Sequence, residues 1–423
     1  MNLTARILIG MFAGLVLGVF IQQLGVGPDH WLYTVVIDGF IDAGGRIFIA
    51  SLQLMVVPLV LVSLICGAAS LGNTGSMGRV GGKAIGLYLL TTSIAITLAL
   101  MLALIVEPGS GGAPAVTDAV FDPGEPQGIK QTLINIFPTN PVAAMAQGNM
   151  LQIIVFALLF GVALSRAGEA GTRLMGFFED ANAVLMSLIT MLIKLAPIGV
   201  FCLMARLFAT EGFQEIYRLG AYFLTVVIAL ILHLTLVYPT LLYLLARVSP
   251  LTFLRKMREP MLVGFSTASS GATLPVTLRT VEHRVGVKNE VAAFAVPLGA
   301  TINMDGTAIM QGVATVFIAQ FYGVDLSVTD YLMVILTATM ASIGTAGVPG
   351  VGLIMLAMVL TQVGLPVEGI MLIIGVDRLL DMLRTAVNIT GDGMVATIVA
   401  RSEDDLDMAV FLDPEAGRVV NGA

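Results

Sequence analysis

Hydrophobic positions along this chain fall in long runs, and polar positions cluster between them. The first run follows Arg6, reaches about Phe20 and continues to Leu24. No small-residue cleavage site follows it, so the pattern predicts a retained first helix and not a signal peptide. A second run spans about Ile47 to Ala69 with Pro58 inside it, which a membrane helix tolerates. A glycine-rich turn from Gly72 to Gly82, carrying Arg79 and Lys83, leads into a third run ending near Val106, with Tyr88, Thr91, Thr92 and Ser93 near its start. Later runs cover about Leu151–Leu164, Val184–Phe208 and Tyr222–Leu245; Ala196-Pro197 and Tyr238-Pro239 predict kinks in the last two. Glu107 to Gln147 is the longest polar segment, rich in Gly, Pro and Asp, and reads as a surface loop with too few apolar residues to form a core.

The C-terminal half has a different pattern. Apolar segments are broken by small polar residues and then a proline at 265–276 and again at 341–351, so neither is an unbroken spanning helix. Paired breaks of this kind point to re-entrant hairpins whose tips line a shared site, often related by an inverted repeat. Between them, 303–307 interrupts another run with an amide, an acid and a glycine. One such break alone is explained by helix packing through small residues; three, beside the acidic stripe described next, point to a site.

From Gly375 to Arg401 the helical period places Asp377, Asp381, Arg384, Asn388 and Asp392 within an arc of roughly 80°, a stripe about 22 Å long. Arg378 is offset by about 100° from Asp377 and falls off the stripe. Asp381 and Arg384, three apart, are placed to pair, which leaves Asp377 and Asp392 without a basic partner on that face. Carboxylates in a low-dielectric setting need a cation, a proton or several donors, and ionisable side chains in membrane helices mark substrate or ion pathways.

Composition turns this pattern into a membrane assignment. Apolar residues make up 57% of the chain, charged residues 12%, and the mean hydropathy is +0.95; soluble domains carry about twice that charge. Cys66 and Cys202 both lie in apolar runs, and His30, His233 and His283 are scattered, so neither a disulfide framework nor a thiolate or histidine metal centre is indicated. The net charge of −7 leaves no basic patch for nucleic acid. Arg79, Lys83, Arg166, Arg173, Arg247, Arg255 and Lys288 occupy turns on one side, while Glu107, Asp118, Asp122, Asp325 and Glu368 occupy the other. By the positive-inside rule both termini are cytoplasmic.

The segments SSGATLP (269–275), NMDGT (303–307), GTAGVPG (344–350) and DRLLDMLRTAVNITGD (377–392) resemble the dicarboxylate/amino acid:cation symporters, in order and spacing over essentially the whole chain. That family includes archaeal aspartate transporters, bacterial glutamate symporters and excitatory amino acid transporters. The resemblance implies an all-α polytopic membrane protein of eight transmembrane helices and two re-entrant helical hairpins with inverted repeats. It also implies a homotrimer in a prokaryotic cytoplasmic membrane, with a transport unit sliding against a fixed scaffold. On this chain the scaffold would take 1–74 and 148–215, around a third helix at 75–107 and an extracellular loop at 108–147. Helix 6 would take 216–250, the first hairpin 251–285, helix 7 286–322, the second hairpin 326–365, helix 8 366–401 and a cytoplasmic tail 402–423.

The resemblance also implies the ligands. Arg384 would hold the side-chain carboxylate of an acidic amino acid, which suits a planar guanidinium. Asp381 would take the amino group, with Thr307, Thr385 and Asn388 as polar contacts, and Ser270, Val348 and Gly352 would offer backbone groups. Three sodium ions, and no organic cofactor, are implied. One would use Asp392 with carbonyls of Gly299, Asn303 and Asn388; a second Thr301, Ser342, Ile343 and Thr345 beside Met304; a third Tyr88, Thr91, Thr92, Asn303 and Asp305. Counting Asp305, Asp377, Asp381 and Asp392 against Arg384 leaves about three negative charges for cations to relieve. Two positions depart from relatives: Ala268 stands where archaeal members carry arginine, while Arg378 follows Asp377 as in several bacterial members; and Gln311 replaces the glutamate of proton-coupled mammalian members.

The resulting expectation is a sodium-coupled importer of aspartate or glutamate, and not an enzyme. The rival within transporters is a proton-coupled glutamate or C4-dicarboxylate carrier, against which Asp381 argues, because a substrate without an amine has no use for it. An intramembrane aspartyl protease needs a Gly-x-Gly-Asp element that Ile389 spoils at Asp392. An ion channel would conduct without coupled uptake.

Overall fold

In the computed structural model, which describes residues 3–24, 30–70, 77–111, 137–210, 214–343 and 349–417, the apolar runs are helical. Backbone amides away from water bond within their own segment, and helices achieve this without an edge. Among the described residues the one extended pairing is an isolated antiparallel bridge between Val287 and Leu406.

Two groups of helices can be followed from their contacts. α1 (Leu3–Gln23), α2 (Asp42–Ser70), α5 (Met150–Arg166), α6 (Gly168–Ile193) and α7 (Ala196–Thr210) pack on one another; a short α4 (Pro141–Gln147) precedes α5. Gly10, Gly14 and Gly18 lie on one face of α1, and a Cβ at any of them would fall within 2.5 Å of a carbonyl oxygen of Pro197, Phe201 or Ala205. The missing side chains let α1 lie backbone-to-backbone against α7.

The second group surrounds the broken segments. It contains α3 (Met77–Val106), α8 (Gln214–Leu232), α9 (Pro250–Lys256), α10 (Arg258–Thr267), α11 (Ser270–Thr280), α12 (Asn289–Ile302), α13 (Asp305–Tyr322), α14 (Val328–Ser342), α15 (Val351–Gln362) and α16 (Ile370–Ser402). α16 is its axis, touching α3, α8 and α10 to α13. α15 packs on α2, and α16 on α7, which joins the two groups.

The expected breaks have distinct local causes. α10 ends at Ala268, whose φ of +51° turns the chain, and Ser269 Oγ then accepts from the Ala272 amide to start α11. α12 ends at Asn303 in an extended conformation, and α13 starts two residues later. α14 starts with a capping box between Ser327 and Asp330 and ends at Ser342; residues 344–348, where the hairpin tip is expected, lie outside the described residues.

Three expectations can be placed. The interruption expected around Ala196-Pro197 falls at 194–195, and Pro197 sits in the first turn of α7, where its missing N–H costs nothing. At Tyr238-Pro239, where the pattern predicts a kink, α8 continues through wide π turns at His233–Val237 and Leu242–Ala246. Of the segment read as a loop, 112–136 lies outside the described residues, while its last residues form α4, capped by Asn140 Oδ1 accepting from the Val142 and Ala143 amides.

The stretch read as a tail from 402 is partly packed structure. Glu403 accepts from Lys83 Nζ (2.5 Å) and Arg79 Nη2 (2.6 Å), and these bonds hold its carboxyl below the ordinary range. Lys288 N donates to Asp405 O, Asp407 N donates to Gly286 O, and α17 (Met408–Leu412) follows. Lys256 is buried, and its ammonium donates to the carbonyls of Arg284 (2.5 Å), Val410 (2.8 Å) and Asp413 (2.9 Å). Hydrogen bonds from charged groups contribute about 1.5–3 kcal/mol each and are not additive. Lys256→Met is therefore expected to lose about 3 kcal/mol, read as a lower unfolding temperature in detergent; an unchanged value would show that the three carbonyls find other partners.

Candidate substrate and cation site

Spacings of four and three put Asp377, Asp381 and Arg384 on one face of α16. Arg384 is fully buried; its Nη1 donates to Asp377 Oδ1 (2.8 Å) and its Nη2 to Asp381 Oδ1 (2.9 Å). Asp377 therefore has the basic partner that the helical wheel denied it, because one guanidinium forks to both acids. Arg378 also returns to the stripe: its long side chain brings Nη1 to 3.7 Å from Asp381 Oδ2. Two acids and two arginines balance here, so the excess falls from three negative charges to two, those of Asp305 and Asp392.

The second broken segment meets this cluster through Asp381. Gly350, in the left-handed region at φ +84°, donates its amide to Asp381 Oδ2 (3.1 Å). A Cβ on Gly352 would stand 3.3 Å from Arg384 Nη2, Met310 Cε and Thr307 Cγ2, so Gly352, Thr307 and Arg384 come together. Thr385 Oγ1 is committed to the Asp381 carbonyl (2.8 Å). Ser270 is buried in the first turn of α11 and makes no hydrogen bond to Arg384 or Asp381. Val348 lies outside the described residues. A cleft of about 50 Å³ beside the cluster is lined by Phe48, Val200, Gly350, Asp377, Arg378 and Asp381, between the two helix groups.

Asn388 ties the acidic cluster to the break before α13. Its Oδ1 accepts from the Gly306 amide (2.7 Å) and its Nδ2 approaches Met304 Sδ (3.4 Å). Gly306 permits the contact, since a Cβ there would lie 2.6 Å from the Arg384 carbonyl oxygen. Asn303 Nδ2 is within hydrogen-bonding distance of the Asn388 carbonyl (3.1 Å) and Asp392 Oδ1 (2.9 Å). Its Oδ1 is buried and accepts from no described residue. Gly299 is closed in by Asp392 Oδ1 and the Tyr88 hydroxyl, 2.5 and 2.6 Å from where its Cβ would be.

Asp305 is fully buried at the start of α13. Its Oδ1 accepts from Thr92 Oγ1 (2.7 Å) and Thr91 Oγ1 (3.3 Å), and its Oδ2 from the Tyr238 hydroxyl (2.8 Å). His233 Nε2 is 3.2 Å from the same Oδ2. Tyr88 donates to the Ala295 carbonyl (2.9 Å). The set of Thr301, Ser342, Ile343 and Met304 is less assembled: Thr301 Oγ1 bonds Leu298 O, Ser342 Oγ bonds Thr339 O, no described hydrogen bond links the two, and Thr345 lies outside the described residues.

His233 and Tyr238 are the site residues that the sequence pattern missed. In an ordinary helix positions five apart diverge by about 140°. Here the Tyr238 amide bonds the His233 carbonyl across the wide turn, and the two rings stand 4.6 Å apart. The readable signal was a histidine inside an otherwise apolar run, five residues before a tyrosine.

Oxygen is the ligand type concentrated here. Among the described residues no group of three or more His, Cys, Asp or Glu is placed to hold a transition metal. Amides, hydroxyls, carbonyls and carboxylates are the donor set of a hard cation, and buried charges close to a forked arginine suit a small zwitterion or anion.

Residues 3–402 match the Sodium:dicarboxylate symporter family. The chain is 34% identical to the Proton/glutamate-aspartate symporter of Escherichia coli (strain K12), over 96% of this chain and 94% of that protein. It is 32% identical to the Proton/sodium-glutamate symport protein of Bacillus subtilis (strain 168), over 93% and 92% of the two chains. To the human Neutral amino acid transporter B(0) it is 34% identical, over 94% and 79%. The chain belongs to the sodium:dicarboxylate symporter family of membrane transporters.

Proposed function

We propose that the protein is a sodium-coupled symporter that imports aspartate or glutamate. The observation that carries this reading is the pair of buried carboxylates, Asp305 and Asp392, together with the unpartnered Asn303 Oδ1. Among the described residues neither acid has a lysine or arginine within ion-pair distance, and Asn303 Oδ1 has no donor. Two buried carboxylates without a basic side chain, one of them held by Asn303 Nδ2, and an unused amide oxygen favour bound cations.

In this reading the substrate side-chain carboxylate takes the Arg384 guanidinium, displacing an aspartate of the helix, and the amino group takes Asp381. Thr307, Thr385, Asn388, Ser270, Val348 and Gly352 complete the contacts. Sodium binds at Asp392 with Gly299, Asn303 and Asn388; at Asp305 with Tyr88, Thr91, Thr92 and Asn303; and, as a third ion, at Thr301, Ser342, Ile343 and Thr345 beside Met304. The protein works as a trimer of subunits with eight spanning helices and two re-entrant hairpins in a prokaryotic inner membrane, both termini cytoplasmic. Each transport unit moves against its scaffold. The glycine-mediated seam of α1 on α7 supports a rigid scaffold.

Reconstituted protein in liposomes is expected to accumulate radiolabelled aspartate or glutamate under an inward sodium gradient. It should respond little to a proton gradient or to internal potassium, because position 311 carries neutral Gln. The Escherichia coli relative's name includes the proton alone and the Bacillus relative's both ions, so uptake driven by protons without sodium would replace this reading with the proton-coupled one. Asp392→Asn should raise the sodium concentration needed for aspartate binding and recover affinity at least partly in saturating sodium; by linkage, aspartate tightens sodium by the same factor. A sodium midpoint that does not move would take Asp392 out of the cation set.

A further inference from the structure

We infer that His233 and Tyr238 are positioning residues for Asp305 in cation binding, holding one carboxylate oxygen so that the other is presented to the ion. The inference rests on the sodium-coupled reading above. Its starting point is the division of donors on Asp305: Thr91 and Thr92 on Oδ1, Tyr238 and His233 on Oδ2. A carboxylate oxygen has two lone pairs; Oδ2 faces two donors, whereas the single Thr91 hydrogen is shared between Oδ1 (3.3 Å) and the Tyr88 carbonyl (3.0 Å). A cation reaching this carboxylate has less to displace at Oδ1.

The two sides differ in what they can yield. Thr91 and Thr92 are hydroxyls, whose hydrogens rotate while their oxygens remain as ligands; Thr91 Oγ1 already has a second acceptor in the Tyr88 carbonyl at 3.0 Å. On the Oδ2 side the Tyr238 hydroxyl also lies 3.3 Å from the Val387 carbonyl, but the His233 N–H is fixed in its ring and cannot rotate away. His233 and Tyr238 are both fully buried, their rings meet edge to face, and the π turn fixes their spacing. His233 Nδ1 has no partner among the described residues. The ring therefore favours the tautomer that donates from Nε2 to Asp305, since a hydrogen on Nδ1 would be buried without an acceptor. Oδ2 is clamped and Oδ1 is released, which aims the carboxylate at the hydroxyls of α3. π turns recur at functional positions for the same geometric reason: they re-aim side chains that an α-helix would separate.

Partners that orient a metal ligand typically change affinity by about 10–100-fold when removed. His233→Leu and Tyr238→Phe are each expected to raise the sodium concentration at half-maximal aspartate binding by about 10-fold or more. Aspartate affinity should recover in saturating sodium, because neither residue touches Asp381 or Arg384. His233→Gln, which keeps an N–H donor at a similar reach, should restore most of the sodium sensitivity. The readouts are calorimetric aspartate titrations across a sodium series and, independently, the rise in melting temperature with sodium and no aspartate. Tyr238→Phe removes one oxygen and serves if His233→Leu fails to fold. A sodium midpoint unmoved in the folded variants, or aspartate affinity lost equally at all sodium concentrations, would overturn the positioning role while leaving sodium coupling intact. Wild-type binding that ignores sodium would overturn both.

Discussion

Arg384→Ala is expected to abolish measurable binding of aspartate and glutamate. The guanidinium is fully buried, forked between Asp377 and Asp381, and beside Gly352 and Thr307. Removing one member of a buried, paired charge set costs about 3–5 kcal/mol, or roughly 10²- to several 10³-fold in Kd at about 1.4 kcal/mol per decade. The variant is also expected to admit small neutral amino acids, since the remaining base, Arg378, reaches Asp381 from the other edge. Sodium-dependent thermal stabilisation serves as the control for folding. Undiminished aspartate affinity in a folded variant would remove Arg384 from substrate recognition.

Asp381→Ser should separate amino acids from plain dicarboxylates. Asp381 is the junction of the site, accepting from Arg384 and from the Gly350 amide of the second hairpin. If it holds the substrate amine, aspartate loses about 3 kcal/mol or more, whereas succinate, which has no amine, loses far less. Competition of each ligand against radiolabelled glutamate in the wild type, and direct calorimetry in the variant, read the difference. Equal losses for both ligands would make Asp381 a structural partner of Arg384 and of the hairpin.

Much of the site was legible because its spacing is helical. The stripe on α16 needed only the 3.6-residue period, and the breaks at Ala268 and Asn303 were announced by runs of small polar residues. What a helical wheel cannot supply is reach. It places Cβ atoms, so it set Arg378 aside and left Asp377 unpaired, although long guanidinium side chains close both gaps. His233 and Tyr238 were missed for a backbone reason: a π turn changes the period locally, and no residue type announces it. The segment from 402 was placed as a tail by the resemblance, yet its carbonyls and the Glu403 carboxylate accept from lysines in distant parts of the chain. The spacing of Gly10, Gly14 and Gly18 was a readable packing signal, and it concerns the seam between α1 and α7.

The Lys256 ammonium sets an order on the assembly of the chain. Its acceptors at Val410 and Asp413 are 154 and 157 residues further along. While the ribosome is still making the intervening helices, α9 carries an ammonium that can remain hydrated but has only the Arg284 carbonyl to receive it in the protein. Closing that end before residue 410 exists would bury an under-bonded cation, which is costly. The ammonium's set of acceptors is therefore completed only once residues 410–413, beyond α16, have been made.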